Sequence, residues 1–302
     1  MANKVLSTTH GTHRGAFAAL DWALFLAIGL VWGSSFLWIA IGLEAFEPGL
    51  ITWWRVGAGA VALWCVPATW RPVAREDRPR LIALSFLWVA IPFTMFPLAQ
   101  RLGVTSAVNG MLNGTLPVLA VGIGSVMLRR WPARPHLVGL GLGSIGLVLI
   151  ALPAAGEGSS EAIGVALALL AVVCYGFAIN IATPLQQRYG SLPVMARMLA
   201  LGTVWTAPFG LWSIGDSSFA WGPALAVTFL GAVGTGVAFA LMGTLVGRVG
   251  GPRGSFVTYL IPVVALVLGV MLLHEQVAAI SIGGVGLVIA GALLASRPDA
   301  RR

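Results

Sequence analysis

The sequence predicts an all-α integral membrane protein whose ten transmembrane helices form two inverted five-helix repeats. Three observations predict it. Only 9% of the 302 residues are charged and 58% are hydrophobic, with a mean hydropathy of +0.92. A soluble domain carries roughly 25% charged residues, so lipid must be the solvent for most of this surface. Apolar runs long enough to span recur along the chain, separated by short loops. The second half also repeats the first at a nearly constant offset.

The runs fall at about 21–43, 49–70, 81–99, 104–128, 137–153, 162–184, 193–215, 222–247, 254–273 and 279–296. The expected organisation is a cytoplasmic N-terminal segment 1–20, a first repeat 21–153, a second repeat 154–296 and a cytoplasmic tail 297–302. The run after residue 20 is long and followed by others, so it is expected to be a retained helix, not a cleaved signal. With the N-terminus inside and ten alternating spans, every basic residue except Arg55 and Arg101 falls on the cytoplasmic side. Glu44, Glu47, Glu157, Glu161, Asp216 and Glu275 fall outside. This bias follows the positive-inside rule. It also accounts for the +8 net charge without a nucleic-acid partner. The expected setting is a bacterial inner membrane with both termini cytoplasmic.

The repeat is read from glycines and prolines. At an offset of 145, Pro117 lands on Pro262, Gly124 on Gly269, Gly139 on Gly284, Gly141 on Gly286 and Gly146 on Gly291. Trp32-Gly33 corresponds to Tyr175-Gly176, Arg55 to Arg197, and Leu102-Gly103 to Val249-Gly250, at offsets within a few residues of 145. Each half holds five spans, an odd number, so the second copy must lie upside down. Inverted repeats place a solute site between the halves near the bilayer midplane.

Polar and aromatic groups inside the runs are the candidate site. Pro117 and Pro262 each remove a backbone donor from a helix interior and are read as kinks or hinges. Near them lie Asn109 and Asn113, one face of a helix at i and i+4. Thr258 and Tyr259, Tyr175 and Asn180, and Ser34 lie in other runs. Their alternative role is hydrogen bonding between helices, worth about 0.6–2 kcal/mol each. Trp32, Trp38, Trp88, Met95, Phe239 and Phe256 supply an apolar wall, the usual lining of a ligand pocket. Arg55 has two readings, a cavity charge or a head snorkelling to a nearby span end.

Several functions are excluded. No run holds a His or a pair of Asp residues for an intramembrane enzyme. There is no P-loop. No metal site or cofactor is expected, and Cys65 and Cys174 both lie in apolar runs. Without a carboxylate deep in any run, movement of a solute is expected to follow its gradient.

The stretches GLVWGSSFLWIA, WWRVGAGAVAL, FLGAVGTGVAFALMGTLVGRVGG and SFVTYLIPVVALVLGVMLLHEQVAAISIGGVGLVIAGALL resemble the EamA family of the drug/metabolite transporter superfamily. The resemblance covers about residues 20–296 and looks closest to the YddG-type amino acid exporters. One departure is Arg129-Arg130 where the family has Glu, which leaves Glu275 without a symmetric partner. The resemblance implies the drug/metabolite transporter fold. It implies a carrier exporting amino acids, aromatic ones included, by alternating access. Drugs, purines or nucleotide sugars are the alternative solutes, and a channel is a remote third. The partners implied are a small-molecule substrate and the bilayer, with the chain acting as a monomer or homodimer.

Overall fold

The computed structural model describes residues 17–127, 129, 134–156, 158–249 and 254–295. Most of the expected N-terminal segment, the tail 297–302 and Arg130 lie outside the described residues. The elements are α1 (Ala19–Gly42), α2 (Pro48–Trp64), α3 (Arg75–Arg101), α4 (Ser106–Met127), α5 (Arg134–Gly156), α6 (Ser159–Tyr189), α7 (Ser191–Trp212), α8 (Trp221–Val249), α9 (Phe256–Leu272) and α10 (Ala279–Ala295). Among the described residues, α1, α3, α4, α6, α7 and α8 are long and apolar enough to cross a membrane. Leu137–Pro153, Phe256–Leu272 and Ala279–Leu294 are shorter apolar helices. The 17-residue α2 carries Arg55.

Local chemistry sets where the helices bend. In α1 the Ser34 and Ser35 hydroxyls both donate to the Val31 carbonyl, at 3.0 and 3.3 Å. Such back-bonding bends helices, and Ser34 separates Ala19–Gly33 from Ser35–Gly42. In α4 the break falls at Gly114–Thr115. Pro117 lacks the N–H that the Asn113 carbonyl would accept, and the Thr115 hydroxyl donates to Leu112 O at 2.7 Å. In α9 a 3₁₀ turn over Ser255–Tyr259 precedes Pro262, which likewise has no N–H to donate within the helix. Gly190 alone joins α6 to α7, at φ +86°, where a side chain would be strained.

Two helices carry a π segment, Ser85–Ala90 in α3 and Ala232–Val237 in α8. They stand 147 residues apart at both ends, the offset that relates Leu102-Gly103 to Val249-Gly250. Their sequences, SFLWVA and AVGTGV, share almost nothing. Pro92 removes the donor for the Trp88 carbonyl in the first; glycines soften the backbone in the second.

The packing of one half recurs in the other. α2 packs on α7, α4 on α9 and α5 on α10; α1 meets α8 and α9 as α6 meets α3 and α4. The α5–α10 contact is extensive and runs through glycines. A Cβ on Gly146 would lie 2.5 Å from the Gly284 carbonyl oxygen, and one on Gly291 would lie 2.5 Å from that of Gly139. The two helices therefore run antiparallel through glycines, the close approach that small residues permit in lipid. Gly146→Ala is expected to destabilise the protein by about 1–3 kcal/mol by overpacking. Gly141→Ala, with nothing within 4 Å, is the neutral control. Thermal midpoints in detergent check the pair.

Candidate functional site

A cavity of about 710 Å³ lies between α1, α2, α3, α4, α6, α7, α8 and α9. Its size is within the range of small-molecule sites. Trp32, Phe36, Trp88, Phe93, Phe96, Tyr175 and Phe239 supply aromatic surface, with Met195 and Met242 beside them. Trp32 and Trp88 each meet the Phe239 ring edge-on, at 5.9 and 6.5 Å between centroids. Tyr175 touches Phe96 at 6.0 Å.

The lining is matched across the two halves. Trp32 and Tyr175, and Phe36 and Ile179, stand 143 residues apart. Asn113 and Thr258, and Leu116 and Ile261, stand 145 apart. Trp88 and Thr235, within the two π segments, stand 147 apart. Departures from α-helical geometry often mark functional sites, and here the first π segment turns Trp88 to the cavity and the second Gly234 and Thr235. Arg55 breaks the pattern. It lines the cavity, whereas Arg197 is held away by donating to Thr69 O and Pro193 O at 2.9 and 3.0 Å.

Polar groups facing this space are incompletely satisfied. The buried Asn113 Oδ1 and Gln186 Nε2 have no hydrogen-bond partner among the described residues, and both residues line the cavity. Buried polar atoms are nearly always paired, so these two are available to a solute or to water. Arg55 is buried; its Nε donates to the Thr235 hydroxyl at 3.1 Å, and its guanidinium lies 3.8 Å over the Phe93 ring.

The sequence-derived candidates divide. Trp32, Trp88, Asn113, Tyr175, Phe239 and Thr258 line the cavity. Ser34, Trp38, Met95, Asn109, Asn180, Phe256 and Tyr259 are not part of its lining. Trp38 Nε1 donates to Ser34 Oγ at 3.1 Å, and the Trp38 ring lies 4.9 Å from that of Phe229. Met95 packs half-buried against the core. Asn109 is fully buried and donates to Phe96 O at 3.0 Å. Asn180 ties α6 to α4 by donating to Ala120 O at 3.1 Å. Phe256 and Tyr259 stack on each other at 5.7 Å. Gln186, Gln187, Thr183, Thr235 and Met195 line the cavity without having been singled out.

One end of the cavity is open. Thr183, Gln187, Gly190 and Gly247 line it and are exposed, at the ends of α6 and α8. Beside this mouth, buried Asp77 accepts from Arg80, Arg188 and the Tyr189 hydroxyl at 2.8, 3.0 and 2.7 Å. Arg248 pairs with buried Asp21 at 2.5 Å. Other contacts fasten the opposite ends of the helices. Arg101 pairs with Glu47 at 2.5 Å, and the Glu47 N–H donates to Ser217 Oγ at 2.9 Å. The Glu275 carboxylate accepts from the backbone N–H groups of Ser106 and Ala107 at 2.7 and 2.8 Å. That places a negative charge on the positive N-terminus of α4. Glu275→Ala is expected to cost about 1.5–3 kcal/mol, as for hydrogen bonds to a charged group. Glu275→Gln should recover part of it in thermal denaturation.

The model of the EamA-like transporter family matches residues 21–152 and 162–297. An uncharacterized transporter of Archaeoglobus fulgidus is 21% identical, over 91% of this chain and 98% of its own length. The uncharacterized transporter YdfC of Bacillus subtilis (strain 168) is 24% identical, over 88% of this chain and 87% of its own. YoaV of the same organism, also an uncharacterized transporter, is 23% identical, over 92% and 97%. A crystal structure 18% identical in sequence superposes with a TM-score of 0.61, covering 91% of this chain and 96% of that one. The matched cavity lining and the two family matches agree: this multi-pass membrane protein, a transporter and not an enzyme, belongs to the EamA-like transporter family.

Proposed function

We propose that the chain is a secondary carrier that moves amino acids, aromatic ones included, by alternating access across the plasma membrane. In this reading ten spans form two inverted repeats, and the two halves rock about the central cavity. The observation that carries it is the cavity itself. Equivalent residues of both halves line it, aromatic rings wall it, and among the described residues its exposed lining lies at one end. The two family matches and the recurring helix contacts support a duplication. The antiparallel α5–α10 crossing supports its inversion.

The charge distribution supports a cytoplasmic mouth, beside Arg188 and Arg248. The conformation is then inward-facing, ready to load a solute for export. Among the described residues no carboxylate lines the cavity, so the reading includes no proton relay through the site. The test is counterflow in liposomes. Preloaded unlabelled phenylalanine should accelerate saturable entry of labelled phenylalanine. Entry that neither saturates nor responds to preloading would mean a channel or no transport at all.

A further inference from the structure

Among the described residues, Arg55 is the one charged residue in the cavity lining. Only its Nε and one face of the guanidinium are used, by Thr235 and Phe93. Among the described residues, no carboxylate lies within ion-pair distance of it, and Nη1 and Nη2 make no hydrogen bond. A charge inside a membrane protein is costly unless paired. Here no pairing partner stands among the described residues.

The geometry fits one kind of partner. The Thr235 hydroxyl accepts from Nε and itself donates to Leu230 O at 3.1 Å, a bond allowed by the π segment. Phe93 fixes the plane of the guanidinium by a cation–π contact. What remains is the pair of Nη groups, the fork that matches the two oxygens of a carboxylate. A dianionic phosphate would call for a second cation, and the lining has none among the described residues. The aromatic rings suit an apolar body. Because no Asp or Glu among the described residues lines the cavity, an ammonium group on the solute would find no counter-ion there.

We propose that Arg55 reads the carboxylate of the cargo, and that the substrate class is aromatic or large apolar monocarboxylates for which an α-amino group is dispensable. This rests on the reading above that the cavity carries the solute. Two consequences follow. An uncharged derivative such as an amide is rejected. A cargo lacking the amine crosses as an anion, so an inside-negative potential drives it outward, by roughly 50-fold per 100 mV at equilibrium.

The experiment measures calorimetric binding of phenylalanine, 3-phenylpropionate and phenylalaninamide to the detergent-solubilised full chain. It uses wild type, Arg55→Gln and Arg55→Lys, alongside phenylalanine counterflow in phosphatidylethanolamine–phosphatidylglycerol vesicles. Both acids are expected to bind and to inhibit counterflow, and the amide to do neither. Arg55→Gln should weaken acid binding by roughly 30-fold or more. Arg55→Lys, which keeps the charge and guards against a folding defect, should recover part of it. Amide binding equal to that of the acids, or acid binding unchanged in Arg55→Gln, overturns the proposal. So does absence of acid binding to wild type. If the acids bind through Arg55 but no counterflow occurs, this proposal stands and the carrier reading fails.

Discussion

Gly247→Trp is expected to close the cavity mouth and bring transport from that face down to the background of protein-free vesicles. Gly247 lines the exposed end of the cavity, and a Cβ there meets nothing within 4 Å. A side chain at this position therefore leaves the backbone into open space, and an indole there is expected to fold over the opening. Replacing a helical glycine also recovers backbone entropy of up to about 1 kcal/mol, so stability should be kept or raised. Gly286→Trp is the control, since a Cβ there also meets nothing within 4 Å and Gly286 does not line the cavity. The measurement is counterflow in liposomes beside the thermal midpoint of each variant. Loss of transport with an unchanged midpoint identifies the mouth as the route. Full transport by Gly247→Trp would place the route elsewhere.

Asp21→Ala carries the largest expected cost in stability. Asp21 is fully buried. One carboxylate oxygen pairs with Arg248 Nε at 2.5 Å and the other accepts the Ala18 N–H at 2.9 Å. The pair ties the start of α1 to the end of α8. Removing one partner of a buried pair costs about 3–5 kcal/mol. Arg248 keeps 29% of its side-chain surface exposed, which sets the expectation at the lower end, about 3 kcal/mol. The cost arises mainly from the stranded guanidinium. Asp21→Leu combined with Arg248→Met should therefore be much less destabilised than Asp21→Ala alone. Denaturation midpoints of the two single variants and the double variant measure this coupling.

Much of the cavity was legible because lipid penalises what does not belong in it. Asn113 and Thr258 are polar groups beside helix-breaking prolines, and Trp32 and Tyr175 sit at matched offsets in the two halves. Side-chain direction was harder. Trp32 and Phe36, four residues apart, face the cavity; Ser34 and Trp38, on another face of the same helix, bond to each other. Composition alone does not tell these faces apart when both are apolar. Asn109 and Asn113 share a helical face, yet the α3 carbonyl of Phe96 takes the Asn109 amide and leaves only Asn113 at the cavity.

Gln186 and Gln187 were hidden for a different reason. The apolar run fades near residue 184, so the polar end of α6 reads as loop, whereas the helix continues to Tyr189. Thr235 was hidden by the π segment that turns it. Such segments have no propensity signature, and the two here share almost no sequence. Arg55 was visible as an anomaly, but its two readings differ only in where the side chain points. That depends on Thr235 and Phe93, far away in sequence.

The central claim, that this cavity is the solute site and opens to each side in turn, is tested most directly by thiol accessibility at Asn113. Asn113→Cys would be built in a Cys65→Ser, Cys174→Ala background and reconstituted in oriented vesicles. Labelling by a membrane-impermeant thiol reagent would then be measured from each face, with and without saturating phenylalanine. The account predicts labelling from both faces, slowed by the solute from each. Labelling from the mouth side alone, unaffected by solute, would contradict it.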